Sequence, residues 1–302
     1  METTDWTSLT PYFLAIASNL CFGTASVKFS EYSVRFGASW LNQLKVTVAL
    51  IGFLFGFLLF EDGLHLNLRS SSFFFASGIL GLFLGDWFLF RGFANLGATR
   101  TLVLYSFQPF LLGIYGFIFL GQSLGIMRII AIACMIACVF TFVLERNRTL
   151  GKWDMKNFGL AFVGIGFDAL GIVFSRQAYE SSPDTGSFEA NATRALGAVI
   201  AFNLLKPSST NMIYGDLTRL KKNDRIQLIG ACLLGTFVAL TLFLKALKTA
   251  HIASLTAISI TGPIWVSIIE HVRERRLPNR YLVIAFSFFL VGFFFMSRAI
   301  IH

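Results

Sequence analysis

The sequence predicts an all-α integral membrane protein of ten transmembrane helices, built as two inverted five-helix repeats. Three observations predict it. Charged residues are only 14% of the 302 positions, against roughly 25% in a soluble domain. Ten apolar stretches follow one another, each close to the roughly 20 residues a helix needs to cross a bilayer. These stretches form two sets of five that match in order. Residues 91–109 (RGFANLGATRTLVLYSFQP) lie opposite 245–263 (KALKTAHIASLTAISITGP) at a constant offset of 154, so Arg91 meets Lys245 and Pro109 meets Pro263. Residues 21–30 align with 166–175, and Lys45 falls opposite Arg194. Because five is odd, a second set that continues the first enters the bilayer upside down. Many secondary transporters are built on that plan.

The spans fall at 11–29, 37–60, 72–94, 98–121 and 125–144 in a first repeat over residues 1–148. They fall at 155–178, 185–205, 224–246, 249–271 and 279–298 in a second repeat over 149–302. The N-terminus METTDWTSLT carries acids and no Lys or Arg. A cleavable signal needs a basic stretch there, so the first span is expected to be retained. The second and third spans carry Gly52/Gly56 and Gly81/Gly85, a spacing that lets helices approach closely. Pro109 and Pro263 sit near the middle of equivalent spans, the fourth and the ninth. Each removes a backbone N–H; a mid-membrane kink is expected, with freed carbonyls open to water or ligand.

Cys21, Cys134, Cys138 and Cys232 all lie in apolar segments. Cysteine there acts as a small hydrophobe, and no His or acid beside Cys134 and Cys138 completes a metal site. The longest polar connections, 145–154 and 206–224, are too short for a catalytic domain. The chain lacks GxxxxGK[ST], HExxH and GxSxG, so an ATPase or an intramembrane hydrolase is not expected, and no cofactor is called for. The net charge of +9 sits in short loops between spans. That is the pattern of loops facing anionic headgroups; a nucleic-acid platform is missing.

Around the two prolines the chain resembles the EamA-type ten-helix members of the drug/metabolite transporter (DMT) superfamily. The second half reads Ala246-Leu247, Ala253-Ser254-Leu255, Pro263-Ile264 and Glu274-Arg275-Arg276-Leu277. The first reads Phe93-Ala94, Gly97-Ala98-Thr99-Arg100, Gln108-Pro109 and Gly121-Gln122-Ser123-Leu124. The basic residue of the family's second helix matches Lys45 and Arg194. Gln122 departs from the family's usual Glu. The resemblance covers essentially the whole chain and implies a solute carrier. Members take amino acids, nucleotide sugars, phosphorylated sugars or drugs, so it selects no substrate.

Ionisable groups within spans are costly and mark a pathway or an internal ion pair. The deep ones are Lys45, Asp86, Asp168 and Arg194, and their charges cancel. By depth, Lys45 is expected to pair with Asp86 and Arg194 with Asp168. Asn19, Asn42, Gln108 and Asn191 add neutral hydrogen-bonding groups, and Trp87, Tyr105 and Trp265 are candidate walls of an amphipathic cavity. Packing against lipid or neighbours is the competing reading for the aromatics. The expected function is secondary transport of a small polar or amphipathic metabolite, such as an amino acid, moved outward by alternating access. The expected partners are that substrate, protons or a counter-substrate, and the bilayer, in the plasma (inner) membrane. The alternatives are an exchanger or importer of a phosphorylated or nucleotide-linked compound, and a passive channel.

Orientation sets two arguments against each other. Bases crowd the connections after odd-numbered spans, among them Arg146, Arg148, Lys206, Lys221, Lys222, Arg275 and Arg276. The positive-inside rule puts those connections in the cytoplasm and both termini outside. The resemblance implies the reverse. The charge count, read from this chain, is preferred.

Overall fold

The computed structural model describes residues 6–105, 155–205, 209–249 and 280–301, with Val266 and scattered positions between 107 and 144. Its helices are α1 (Trp6–Phe36), α2 (Ala38–Phe60), α3 (Leu68–Leu96), α4 (Ala98–Tyr105), α5 (Met155–Ser181), α6 (Ser187–Leu205), α7 (Ser209–Arg219), α8 (Lys222–Thr249) and α9 (Arg280–Ile301). Five are long and apolar enough to cross a membrane: α2, α3, α5, α8 and the Phe13–Phe36 part of α1. Exposed apolar side chains such as Leu58, Phe60, Leu204 and Leu205 line the outside, a surface suited to lipid rather than water. The expected span 249–271 lies outside the described residues except for Thr249 and Val266, and 98–121 and 125–144 are described only in part.

The helices run between two faces. At one, Gly37 alone joins α1 to α2 and Gly97 alone joins α3 to α4; both have φ near +85° to +88°, where glycine is favoured. There Arg35 pairs with Asp224 at the start of α8 (3.5 Å) and the Tyr32 hydroxyl donates to the Asp224 carbonyl (3.1 Å). At the other face Glu61 ends α2, and Ser182, just past α5, donates to the His65 carbonyl (2.6 Å). α1 therefore ends at the Gly37 face and its counterpart α5 at the Glu61 face. Equivalent helices run in opposite directions.

The repeats interlock. α1 packs along α8, α5 along α3, and α2 against α6; exchanging the repeats maps the first two pairs onto each other and the third onto itself. Local structure keeps the same symmetry. Residues Gly78–Gly85 of α3 and Leu233–Val238 of α8 wind as π-helix, and the offset of 154 superposes them. A π segment leaves backbone carbonyls without their usual helical donors. Asn42 donates to the Leu82 and Phe83 carbonyls (3.0 and 3.1 Å). Asn191, its equivalent, donates to the Leu240 carbonyl (3.0 Å). The connection expected as a polar link at 206–224 differs: it contains α7, which buries Ile213 and packs it, with Leu220 just beyond, on the apolar cluster of α1 and α2. A short amphipathic helix of this kind suits the membrane interface.

Candidate functional site

A cavity of about 80 Å³ lies inside the bundle, lined from α1, α2, α3, α4, α5, α6 and α8 and by Gln108. That is room for about two or three waters. All four deep charges line it. The symmetry of the helices brings Lys45 and Arg194 to it from α2 and α6; Asp86 and Asp168 come from α3 and α5.

The first expected pair stands. Lys45 Nζ donates to Asp86 Oδ2 at 2.5 Å, with the two side chains 3% and 10% exposed. The ammonium also lies 4.9 Å over the Phe90 ring. The second pair is corrected. Arg194 Nε donates to Ser77 Oγ (3.0 Å) and Nη1 to Asn191 Oδ1 (3.3 Å). Asp168 Oδ2 instead accepts from the Tyr105 hydroxyl and from Gln108 Nε2. Neutral donors supplied by α4 and the residues after it reach the carboxylate, while Ser77, itself hydrogen-bonded to Gly171 and Ser175, holds the guanidinium on α3.

What remains of both groups meets across Gly81. A Cβ placed on Gly81 would lie 3.0 Å from Asp168 Oδ1 and 3.7 Å from Arg194 Nη2. Among the described residues neither atom has a hydrogen-bond partner. An acid oxygen and a guanidinium nitrogen thus both lie against Gly81, close enough that a side chain there would press on the carboxylate.

Asn19, Tyr105 and Gln108 line the cavity as expected. Trp87 does not: its Nε1 donates to Ser39 (2.7 Å) and Arg91 lies 4.1 Å over its ring, toward the Gly37 face. Asn191 stands behind Arg194 and orients it. Trp265, Pro109 and Pro263 lie outside the described residues. Three hydroxyls were missed by sequence reasoning. Ser77 anchors Arg194, Ser18 lines the cavity while donating to the Ala239 carbonyl (2.7 Å), and Thr236 lines it with a buried oxygen that has no partner among the described residues. Serine and threonine are so common as packing residues in membrane helices that only the repeat, which puts Thr236 opposite Leu82 beside the Asn42 contacts, offers a signal. Phe22, Leu240 and Phe243 add neutral, apolar side chains to the lining.

Comparison with known proteins gives a consistent picture. The description "EamA-like transporter family" matches residues 9–144 and again 156–298. A solved structure titled only "Crystal structure of protein" is similar with a TM-score of 0.64 and 14% identity, over 97% of this chain and 97% of that one. At that identity the likeness is one of fold. No curated protein matches the sequence.

Proposed function

The chain belongs to the EamA-like transporter family, and from that premise we propose that it is a secondary transporter exporting a small polar or amphipathic metabolite of the amino-acid kind. Ten spans in two inverted repeats, 1–148 and 149–302, alternate access to the central cavity in a plasma (inner) membrane. The approach of Asp168 Oδ1 and Arg194 Nη2 beside Gly81, in side chains that both line the cavity, carries the reading. An α-carboxylate meets the guanidinium with a charge-assisted hydrogen bond, and the adjacent ammonium meets the carboxylate. The apolar lining of Phe22, Leu240 and Phe243 receives the side chain. Lys45 and Asp86 cancel without help from a substrate, so the second repeat's base is the one left to bind. Protons or a counter-substrate supply the driving force.

A thermal-shift screen of the purified protein against amino acids, nucleotide sugars and organic anions identifies the ligand class first. Labelled amino acids that stabilise it are then followed in proteoliposomes. Saturable uptake stimulated by substrate on the opposite side marks a carrier; a flux linear in concentration marks a channel and ends this reading. Stabilisation by nucleotide sugars alone would move the substrate class to the phosphorylated compounds.

A further inference from the structure

We propose that Glu61 and Glu189 form a reciprocal carboxylate clasp that gates the cavity at the Glu61 face; this rests on the alternating-access reading above. Glu61 caps the C-terminus of α2, where an acid opposes the negative end of its own helix dipole. Its compensation comes from another helix. Glu61 Oε1 accepts from the Phe188 N–H and Oε2 from the Glu189 N–H, both at 2.9 Å. These are first-turn amides of α6, which have no partner inside their helix. Glu189 returns the contact. Its Oε1 accepts from the His65 and Leu66 N–H groups at 2.8 and 2.9 Å, and its Oε2 stands 3.8 Å from His65 Nδ1. Each acid binds the backbone of the segment that carries the other.

The link 61–67 is thereby strapped over the helix ends. Ser182 Oγ donates to the His65 carbonyl (2.6 Å), Asn67 Nδ2 to the Ser181 carbonyl (2.9 Å) and Lys248 Nζ to the Thr185 carbonyl (3.1 Å). The strap ties together α2, α5, α6 and α8, the helices that bring Lys45, Asp168, Arg194 and Thr236 to the cavity.

The repeat shows that this is more than a fold requirement. The start of α6 corresponds to the start of α2 at the Gly37 face. There the N-cap is Gly37, with no side-chain cap hydrogen bond, and the nearby Arg35–Asp224 pair is solvent-exposed. Among the described residues the same fold stands at one end with a partly buried carboxylate clasp and at the other without one. Closure stronger at one end sets the way a two-state carrier faces at rest.

The test reads access rather than transport. Asn19→Cys places a thiol in the cavity wall, and Leu64→Cys, on the exposed strap, marks the face from which a reagent arrives. Membrane vesicles are treated with a charged methanethiosulfonate from that face, and the rate for protein with Asn19 intact is subtracted. With the clasp intact, Asn19→Cys is protected. Glu61→Ala and Glu189→Ala are each expected to raise its rate at least about tenfold, since each removes two charge-assisted bonds. Gly186→Ala does the same with both acids retained, because a Cβ there falls on the Glu61 carboxylate. Glu180→Ala, an exposed acid beside the same face, leaves the rate unchanged. Unchanged rates in all three folded variants, or an equal rise with Glu180→Ala, would overturn the gate. Altered labelling with a linear flux keeps the gate and removes the carrier; unaltered labelling with saturable flux does the reverse.

Discussion

Asp86→Asn isolates the energetics of the buried ion pair. In the native protein Lys45 and Asp86 meet at 2.5 Å with side chains 3% and 10% exposed, and the only other favourable neighbour described for the ammonium is the Phe90 ring. Asparagine keeps an acceptor oxygen but withdraws the opposite charge. Removing one member of a buried pair costs about 3–5 kcal/mol, because the other is left uncompensated. The desolvated cation–π contact with Phe90, worth up to about 2 kcal/mol, is present before and after the substitution, so it does not reduce the difference. For a chain of this size about 3–5 kcal/mol lowers the melting temperature by roughly 6–20 °C. Lys45→Met in the Asp86→Asn background removes the stranded charge and fills the same volume with an apolar chain, which restores most of the loss. Thermal melting of the two variants in detergent, alongside wild type, is the measurement. An Asp86→Asn protein that melts with wild type, or a double variant no more stable than the single one, refutes the argument that the pair is held as two charges.

The other outcomes follow from the same geometry. Asp168→Asn keeps an acceptor for Tyr105 and Gln108, so it melts within about 1 kcal/mol of wild type yet loses transport in the proteoliposome assay, and adding Arg194→Gln does not restore it. Asn42→Ala strands two carbonyls of a π segment and Asn191→Ala strands the Leu240 carbonyl just past the other, and each costs about 1–3 kcal/mol; a large effect from one and none from the other in the melting assay would break the symmetry argument. Gly81→Ala puts a methyl group 3.0 Å from Asp168 Oδ1 and 3.7 Å from Arg194 Nη2, which displaces the carboxylate and weakens ligand binding more than it lowers the melting temperature, whereas its repeat-equivalent Gly235→Ala meets Ala25 and Phe29 and destabilises the protein. Thr218→Cys, exposed on α7, reacts with an impermeant thiol reagent only from the cytoplasmic side if the charge count sets orientation; reaction from outside reverses it.

Much of the frame was legible because the repeat carries it. The offset that pairs Arg91 with Lys245 also superposes the two π segments, although GILGLFLG and LLGTFV read as ordinary apolar helix and nothing in them announces a wide turn. Depth along the helix paired Lys45 with Asp86 correctly. The same argument joined Arg194 to Asp168 and failed, because depth carries no information on rotation. Which side of α5 Asp168 occupies is fixed by packing against α3 and α4, and there Tyr105 and Gln108 compete for its oxygen. Trp87 was read as cavity wall from its neighbour Asp86, but successive helical residues point about 100° apart, and that turn sends the indole toward Ser39. Glu61 and Glu189 lie at helix ends, where an acid reads as a solvated surface charge until the partner backbone is known.

The break in symmetry is where function resides. Lys45 and Arg194 are repeated, whereas Asp86 aligns with Leu240 and Asp168 with Gly23. Two inverted copies with identical polar groups would present the same closed end to either side and hold no preference between them. Here one base is consumed by a direct ion pair at 2.5 Å. The other is held by a serine and an asparagine, with a guanidinium nitrogen left toward Gly81. Among the described residues the acid beside it is satisfied on one oxygen, by neutral donors. Neutral partners hold the second base and its acid in place without cancelling their charges, so both keep an attraction for an external group of opposite sign. An ion pair does the opposite, which assigns Lys45 and Asp86 to holding α2 against α3. The Glu61–Glu189 clasp breaks the symmetry a second time, at one end of the bundle only. In the proposed carrier the equivalent helices are the parts that move, and these non-equivalent contacts are what would decide which side they open to.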